Sequence, residues 1–585
     1  MAKYLGYAFL SNSMTSALEL FGDICWFPSP RFDSPSLFSK ILDENTGGHF
    51  SFSLDGKYDV STSYVNNSLV VKNNFSSKSG KLQTIDFLPI GLPSIIRIFS
   101  SDSPFTVEIT PTFNYGMINP NYEDADGGIS FKNPASRESL DVAINGNYSM
   151  LEDGKFRFKP GKGSIFALYT KDYRQGLFSK KGYIYPKPEA ALDYSLRYWE
   201  SQMSIAKTIK HFKEAYYRSI AVVLGLIYAP SGGIIAASTT SIPPIYGEKH
   251  NWDYRYVWIR DASYAAEALA KAGFMSKARR IIEFMISVID PSPKSFDHPL
   301  FEIDGTAPPS EEELGWLSGN HGSKPVRIGN AAYLQIQKDT EGVFVDALYT
   351  YFILSNDTSI IRENIWAIDA IAKSCSESWK NKSTSMWEER GTPQHFVHTK
   401  LMDWVAIDRI SKLKRALGNL AVADSLEKIS DAIKQDIIEN GFSENLGSFV
   451  KYYGSNEVDA ALLTMPIYGF INPMDRRFIG TQALILKRLM TRQGLLLRTE
   501  NDYEGNNSHP FTLINTWLAR VYTLQGKRSK AKEAIDNLIK FSTSLYLFGE
   551  RADISRGIPM GNFPQLFPHA GLISAIIDYE YYRKA

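Results

Sequence analysis

Cysteine is nearly absent from this 585-residue chain, which has only Cys25 and Cys375. Two cysteines cannot build a disulfide framework, and without CxxC spacing they form neither a structural zinc site nor a dithiol redox centre, so two buried thiols are expected. An excess of charge of one sign is missing too. Lys and Arg total 64 against 63 Asp and Glu. No global basic field therefore exists to neutralise phosphates or grip an anionic membrane, and nucleic acid and membrane are not expected partners. No run of about 18 apolar residues occurs. The nearest is the short stretch at 220–228, and the N-terminal segment lacks an uninterrupted apolar h-region. These absences lead to the expectation of a soluble, cytoplasmic protein.

What is present is ordinary globular balance, 44% hydrophobic and 22% charged, at several times the usual domain length of about 150 residues. Aromatic residues are plentiful, with 34 Phe, 32 Tyr and 10 Trp. They suit a large core, and equally a site that stacks on flat ring faces.

The apolar period changes along the chain. From about residue 47 to 185, short β-rich runs such as HFSFSL, SIIRIFS and FTVEITPTF are bounded by Gly, Pro, Asn, Asp and Ser. In KFRFK, Phe156 and Phe158 alternate with charge, as in a half-buried antiparallel strand. The reading is an N-terminal antiparallel β-sandwich over 1–186, a proline-punctuated helical linker over 187–206, and a helical region over 207–585. In the last, Ala531, Ala534, Ile535, Leu538 and Ile539 make one helical stripe. Twelve helices are expected, at 211–228, 260–273, 275–290, 339–355, 358–378, 400–417, 421–439, 458–469, 474–490, 511–526, 528–543 and 563–583. Five consecutive pairs are joined by a few residues, as in αα-hairpins, whereas the loops entering the even-numbered helices are long. If the helices alternate between an outer and an inner ring, all six long loops emerge at one end of a toroid, where function usually sits. A solenoid would show a sequence period, and none is visible.

Most of these loops mix Trp or Tyr with Arg and carboxylates. NWDYRYVWIRD holds Trp258, Arg260 and Asp261; the next long loop holds Trp316 and Arg327; SMWEERGTPQHFVHTK holds Trp387, Glu388 and Glu389; LLLRTENDYEGN holds Arg498 and Asp502; and FGERADISRG holds Glu550 and Asp553. Converging on one face, they would supply apolar ring surfaces, rigid bidentate donors and several acids. A sugar presents apolar C–H faces and hydroxyls that both donate and accept, and cleaving its glycosidic bond needs two carboxyl groups on opposite sides. Rival chemistries lack their motifs. His395 and His398 have no HExxH or third ligand, no GxSxG elbow occurs, and Gly161–Ser164 reads as a turn rather than a phosphate loop. No metal or cofactor is expected.

At these loops the sequence resembles glycoside hydrolase family 15, the glucoamylase-type enzymes, in the bacterial and archaeal branch that includes trehalases. The likeness runs from SNSMTSALELFGDICWFPSPRF near the N-terminus through VWIRD, PVRIGN, SMWEERG and HTKLMDWVAIDR to GNFPQLFPHAGLI. It implies a β-sandwich followed by an (α/α)6 toroid, an α+β multidomain chain, and inverting hydrolysis of α-glucosides. By motif, Glu388 resembles the general acid, Glu550 the general base and Glu389 a substrate-binding carboxylate. Trp258, Arg260, Asp261 and Arg498 resemble residues that hold the terminal glucose, Trp387 would shape the wall, and Trp316 and Arg327 join the substrate-binding set. The base loop departs from the glucoamylase pattern, with Arg551 where a glutamine is usual, so Asp553 is a reserve candidate for the base. The expected activity is exo-acting release of β-glucose from maltooligosaccharides and starch, with hydrolysis of α,α-trehalose as the alternative and a non-catalytic carbohydrate-binding protein as the remoter one. A homo-oligomer is a further expectation.

Overall fold

The computed structural model describes residues 6–151, 154–179, 186–290, 296, 298–388, 392–502 and 509–582. The N-terminal part is a sandwich of two antiparallel sheets. In spatial order, one contains Tyr7–Ser11, Ser16–Leu20, Asp23–Trp26, Phe50–Leu54, Phe105–Ile109, Lys155–Phe158 and Tyr148–Met150. The other contains Asn121–Ala125, Gly128–Lys132, Ser139–Asn145, Gly161–Thr170, Ser94–Ser101, Lys81–Phe87, Val71–Ser77 and Tyr58–Tyr64. Phe156 and Phe158 point inward as their alternation requires, and Phe158 stacks on Phe105 with centroids 4.9 Å apart. Gly161–Ser164 opens a strand rather than forming a turn.

The first three strands do not show in the sequence as β-runs, and their burial explains why. Tyr7–Ser11 is buried at every position. Ala8 and Leu10 face the sandwich interior, while Phe9 joins the core shared with the helices, as do Leu18 and Trp26. A strand covered on both faces has no reason to alternate.

Thirteen α-helices follow among the described residues. They are α1 (Pro188–Ile205), α2 (Lys213–Gly225), α3 (Ile259–Ala272), α4 (Met275–Ser287), α5 (Thr340–Ser355), α6 (Ser359–Glu363), α7 (Ile365–Ser378), α8 (Val397–Ala416), α9 (Leu420–Gly441), α10 (Arg476–Leu489), α11 (Thr512–Leu524), α12 (Arg528–Ile539) and α13 (Leu566–Tyr581). Contacts run from α3 to α5, α8, the 3₁₀ turn Ala460–Thr464, α11 and α13, and then return to α3, which closes an inner ring. The remaining helices from α2 onward pack outside it, making an (α/α)6 toroid. Inner helices such as α3 and α13 are buried almost all round, whereas outer α12 buries only Ala531, Ala534, Ile535 and Leu538. Two expected helices are altered. The one at 358–378 breaks at Asn364, whose backbone leaves the helical region. The one at 458–469 shrinks to Ala460–Thr464, because Pro466 has no N–H to continue it. Cys25 and Cys375 are both buried free thiols. Among the described residues no helix is long and apolar enough to cross a membrane.

The sandwich seats directly on the loops that precede inner helices. Trp26 Nε1 donates to Ser238 O at 2.8 Å, Arg255 donates to Ser34 O at 2.8 Å, and Arg31 pairs with Asp304 at 2.7 Å and Glu302 at 3.2 Å. It therefore splints two of the long loops.

The sandwich carries a buried polar cluster of its own. Arg97 lies over the rings of Phe50 and Phe52, pairs with Asp86 through two nitrogens, and donates to the carbonyls of Phe50 and Gly22. Asn73 bridges Glu19 and Asp86. Burial first, and then the Asp86 charge, push the Glu19 carboxyl well above its ordinary range. A raised carboxyl favours the folded state fully below the unfolded value near 4.5, and that contribution is lost as pH rises towards about 8. The Glu19→Gln protein, which keeps the neutral shape, should gain thermal stability relative to wild type as pH increases through this window. Melting curves at pH 4.5 and 8 check the sign.

Candidate active site

A cavity of about 800 Å³ opens at the end of the toroid where the inner helices begin. Two-residue strands, Val257–Trp258 and Leu300–Phe301, pair just ahead of α3 and fix the entry of that helix. The first turn of α3 then presents Arg260 and Asp261. The Arg260 guanidinium donates to Gln337 Oε1 at 2.9 Å, Asp339 Oδ2 at 3.2 Å and Glu388 Oε1 at 2.8 Å. Despite its own burial, Asp339, Glu388 and Asp261 hold it firmly charged. Burial pushes the Asp261 carboxyl well up; Arg260 opposes the shift, and the charges of Glu388 and Glu550 reinforce it.

Glu388 ends the described part of the loop before α8. Its backbone is left-handed, with φ 59°, a conformation that costs a residue with a side chain roughly 1–3 kcal/mol and is usually retained where it aims a group. The side chain remains 29% exposed. Trp387 beside it is pinned by its indole N–H, 3.0 and 3.1 Å from the two oxygens of Asp459, and packs against Phe511.

Glu550 enters from the loop before α13 and is buried. Tyr254 donates its hydroxyl hydrogen to Glu550 Oε1 at 2.9 Å. Desolvation raises the Glu550 carboxyl; Arg551, Arg498 and the Tyr254 hydrogen bond hold it down, and Glu388 adds a smaller upward push. Gly561 lies against this residue with φ 87°, and a Cβ there would sit 3.1 Å from the Glu550 Cβ, so the close approach needs glycine. Arg498 and Arg551 both close on Asp502, at 2.7 and 2.8 Å, and this pairing keeps the Asp502 carboxyl far below its usual range despite burial.

The loops thus bring Trp258, Arg260, Asp261, Arg327, Trp387, Glu388, Arg498 and Glu550 to one cavity. Three expectations change. Trp316 is 41% exposed away from the cavity, with its indole N–H on Tyr115 O of the sandwich. Asp553, the reserve base, ends the first strand of the hairpin Arg551–Asp553/Ile558–Met560; burial pushes its carboxyl up, but hydrogen bonds from Ser555 and Arg556 outweigh this and hold it below its ordinary value, and it does not line the cavity. Arg551, expected beside Glu550, turns instead onto Asp502 and His509 O. Glu389 lies outside the described residues. The sequence reading assigned no role to Tyr254 and Trp252, although both stand in NWDYRYVWIRD, nor to Glu311 and Phe511. His398 is buried in the first turn of α8, where desolvation lowers its imidazole to about 4, and His395 stacks on Tyr453. Among the described residues no group of three or more His, Cys, Asp or Glu is arranged to hold a metal ion.

Carboxyl groups from separate loops, facing one cavity with indole faces and guanidinium forks, on an (α/α)6 toroid, define a glycoside hydrolase. Residues 210–546 match the model of glycosyl hydrolases family 15, and residues 6–154 match a trehalase-like N-terminal model. Trehalase 2 of Sulfolobus acidocaldarius is 47% identical over 98% of this chain and 100% of its own length, and trehalase 1 of the same organism is 40% identical over 97% of each. The trehalase of Mycobacterium tuberculosis is 31% identical over 98% of this chain and 88% of its own. A bacterial glucoamylase solved with acarbose shares the fold over 99% of this chain and 94% of that one, with a TM-score of 0.74 at 14% identity. The chain belongs to glycosyl hydrolase family 15. The expectation of glucoamylase action on starch ends is overturned, because the full-length relatives at 31–47% identity are named trehalases and the glucoamylase likeness is one of fold.

Removing the shared carboxylate of the Arg498–Asp502–Arg551 group would leave two neighbouring guanidiniums without the buried charge that both pair with. Loss of one partner of a buried ion pair costs about 3–5 kcal/mol, so Asp502→Asn should lower the thermal midpoint by several degrees, as read by calorimetry, whereas Asp553→Asn, whose partner Arg556 is exposed, should lower it less.

Proposed function

We propose that the chain hydrolyses α,α-trehalose with inversion at the attacked carbon, Glu388 acting as proton donor and Glu550 as base. The observation that supports this most is the likeness to trehalases along the whole chain, including the N-terminal sandwich, whose model is itself trehalase-like. The cavity chemistry fits. Glu388 protonates the bridging oxygen as the C1–O bond of one glucose breaks, and that oxygen leaves as the anomeric hydroxyl of the second glucose. On the other face, water adds to the oxocarbenium-like C1 and loses a proton to Glu550, giving β-glucose from the attacked ring and α-glucose from the leaving one. Inversion needs room for that water, so the two carboxyl groups are expected roughly 6.5–9.5 Å apart. Arg260 and Asp261 hold the terminal ring, with Trp258 and Trp387 as apolar walls. Among the described residues Arg260 is the only side chain hydrogen-bonded to the Glu388 carboxyl, through Oε1, so Oε2 is left for the proton.

Incubation with trehalose should release glucose, and incubation with maltooligosaccharides should release far less; the reverse preference sinks the proposal. Proton NMR of the first turnovers should show equal α and β anomers from trehalose. Glu388→Gln and Glu550→Gln should each fold normally and lose about 10²–10⁴ in kcat.

The pH profile follows from Glu550. A base must be ionised, so activity falls as pH drops through its raised pKa, placing the acid limb above the ordinary glutamate value of 4.5. Tyr254→Phe deletes a hydrogen bond to the ionised form. The acid limb should then move to higher pH, and kcat should fall about ten-fold, in line with the worth of a hydrogen bond to a charged group.

A further inference from the structure

The cavity wall divides by origin. Arg260 and Asp261 stand in the first turn of α3, and Glu388 and Glu550 come from the loops before α8 and α13. A second set of lining residues, Lys249, Trp252, Glu311, Arg327 and Gln335, comes from the loops before α3 and α5. Its centre is held rigidly. The Arg327 guanidinium lies 4.4 Å from the centroid of the Trp252 ring. One of its nitrogens donates to Lys249 O and Asn251 O, both at 2.9 Å; another lies 3.3 Å from Glu313, and Nε is 3.4 Å from Glu311 Oε1. The Arg327 backbone is tied as well, its N–H on Ser241 Oγ and its carbonyl on Thr240 Oγ1. Glu311 Oε2 accepts from Ala331 N at 3.1 Å. The Trp252 carbonyl accepts from Asn562, next to Gly561 against the base, so this wall is registered to Glu550.

We propose that Trp252, Arg327 and Glu311 form the seat of the departing glucose and that this seat sets the preference for trehalose. The inference rests on the trehalase reading. A disaccharide whose bond lies between Glu388 and Glu550, with one ring against Arg260 and Asp261, must lay its second ring on other residues of the same cavity. There the Trp252–Arg327 stack offers a flat face, and Glu311 and the guanidinium edge offer an acceptor and donors for hydroxyls. Because each partner is already fixed, little side-chain freedom is lost when the ring arrives, and a pre-ordered leaving group aligns the bridging oxygen with the Glu388 proton.

α-D-Glucosyl fluoride separates this role from scaffolding, since it fills the first glucose position and its leaving group is fluoride, not a sugar. Wild type should cleave both substrates. Glu311→Gln, which is isosteric, and Arg327→Met should each lose at least ten-fold more kcat/KM on trehalose than on the fluoride, with KM for trehalose rising. Equal losses on the two substrates would show that the residues only brace the loops, and unchanged trehalose kinetics would show that they do not touch the second ring; either result overturns the proposal. A wild-type protein that turns over the fluoride but not trehalose would instead overturn the trehalase reading itself.

Discussion

Closure of the inner ring is the constraint on which the site depends. An inner helix reaches the next inner helix only through an outer return, so all the inner elements run in the same direction and start at the same end. Every long loop must then open on that end, and residues hundreds of positions apart, such as Arg260 at the start of α3 and Glu550 ahead of α13, meet there because the ring closes between those two helices. The helix starts also bring the positive ends of their backbone dipoles to the cavity floor, which favours carboxylates such as Asp261 in the first turn of α3.

Burial raises the carboxyls of Asp261 and Glu550, and arginines answer it unevenly. Arg260 is shared among Gln337, Asp339 and Glu388, so Glu388 receives only part of a guanidinium. Arg498 and Arg551 are both tied to Asp502 and act on Glu550 at a distance, so they favour its ionised form without occupying its oxygens. Tyr254 alone among the described side chains is bonded to Glu550 directly. The two carboxyl groups therefore sit in different surroundings within one cavity, the condition for giving them different roles.

Much of this was legible in the sequence, wherever the local period reports burial. The amphipathic outer helices, the short αα connections and the long entering loops all follow from which faces meet water, and the convergence of Glu388 and Glu550 follows from them. Legibility fails where burial is complete or contacts are remote. Tyr7–Ser11 lost its alternation because both faces are covered. Trp316 stands in a long loop as the cavity residues do, and only its docking on Tyr115 of the sandwich reveals that it braces the seam between the two parts. Glu311 and Tyr254 carry no spacing signal, since their partners lie 20 or more positions away.

The substrate was the least legible feature, for a physical reason. Hydrolysis of any α-glucoside needs the same terminal-ring contacts and the same pair of carboxyl groups, so the motifs that carry the chemistry are silent about what lies beyond the cleaved bond. On the seat proposed above, that choice falls to irregular loops whose shape depends on long-range ties: Arg327 to Lys249 and Asn251, Asn562 to Trp252, Arg31 of the sandwich to Glu302 and Asp304. The sandwich braces these loops from behind through Trp26, Ser34 and Arg31. The proposed seat of the second ring thus gives a physical reason why the likeness to trehalases extends through the N-terminal part of the chain, when the carboxyl groups of the cavity come from the toroid.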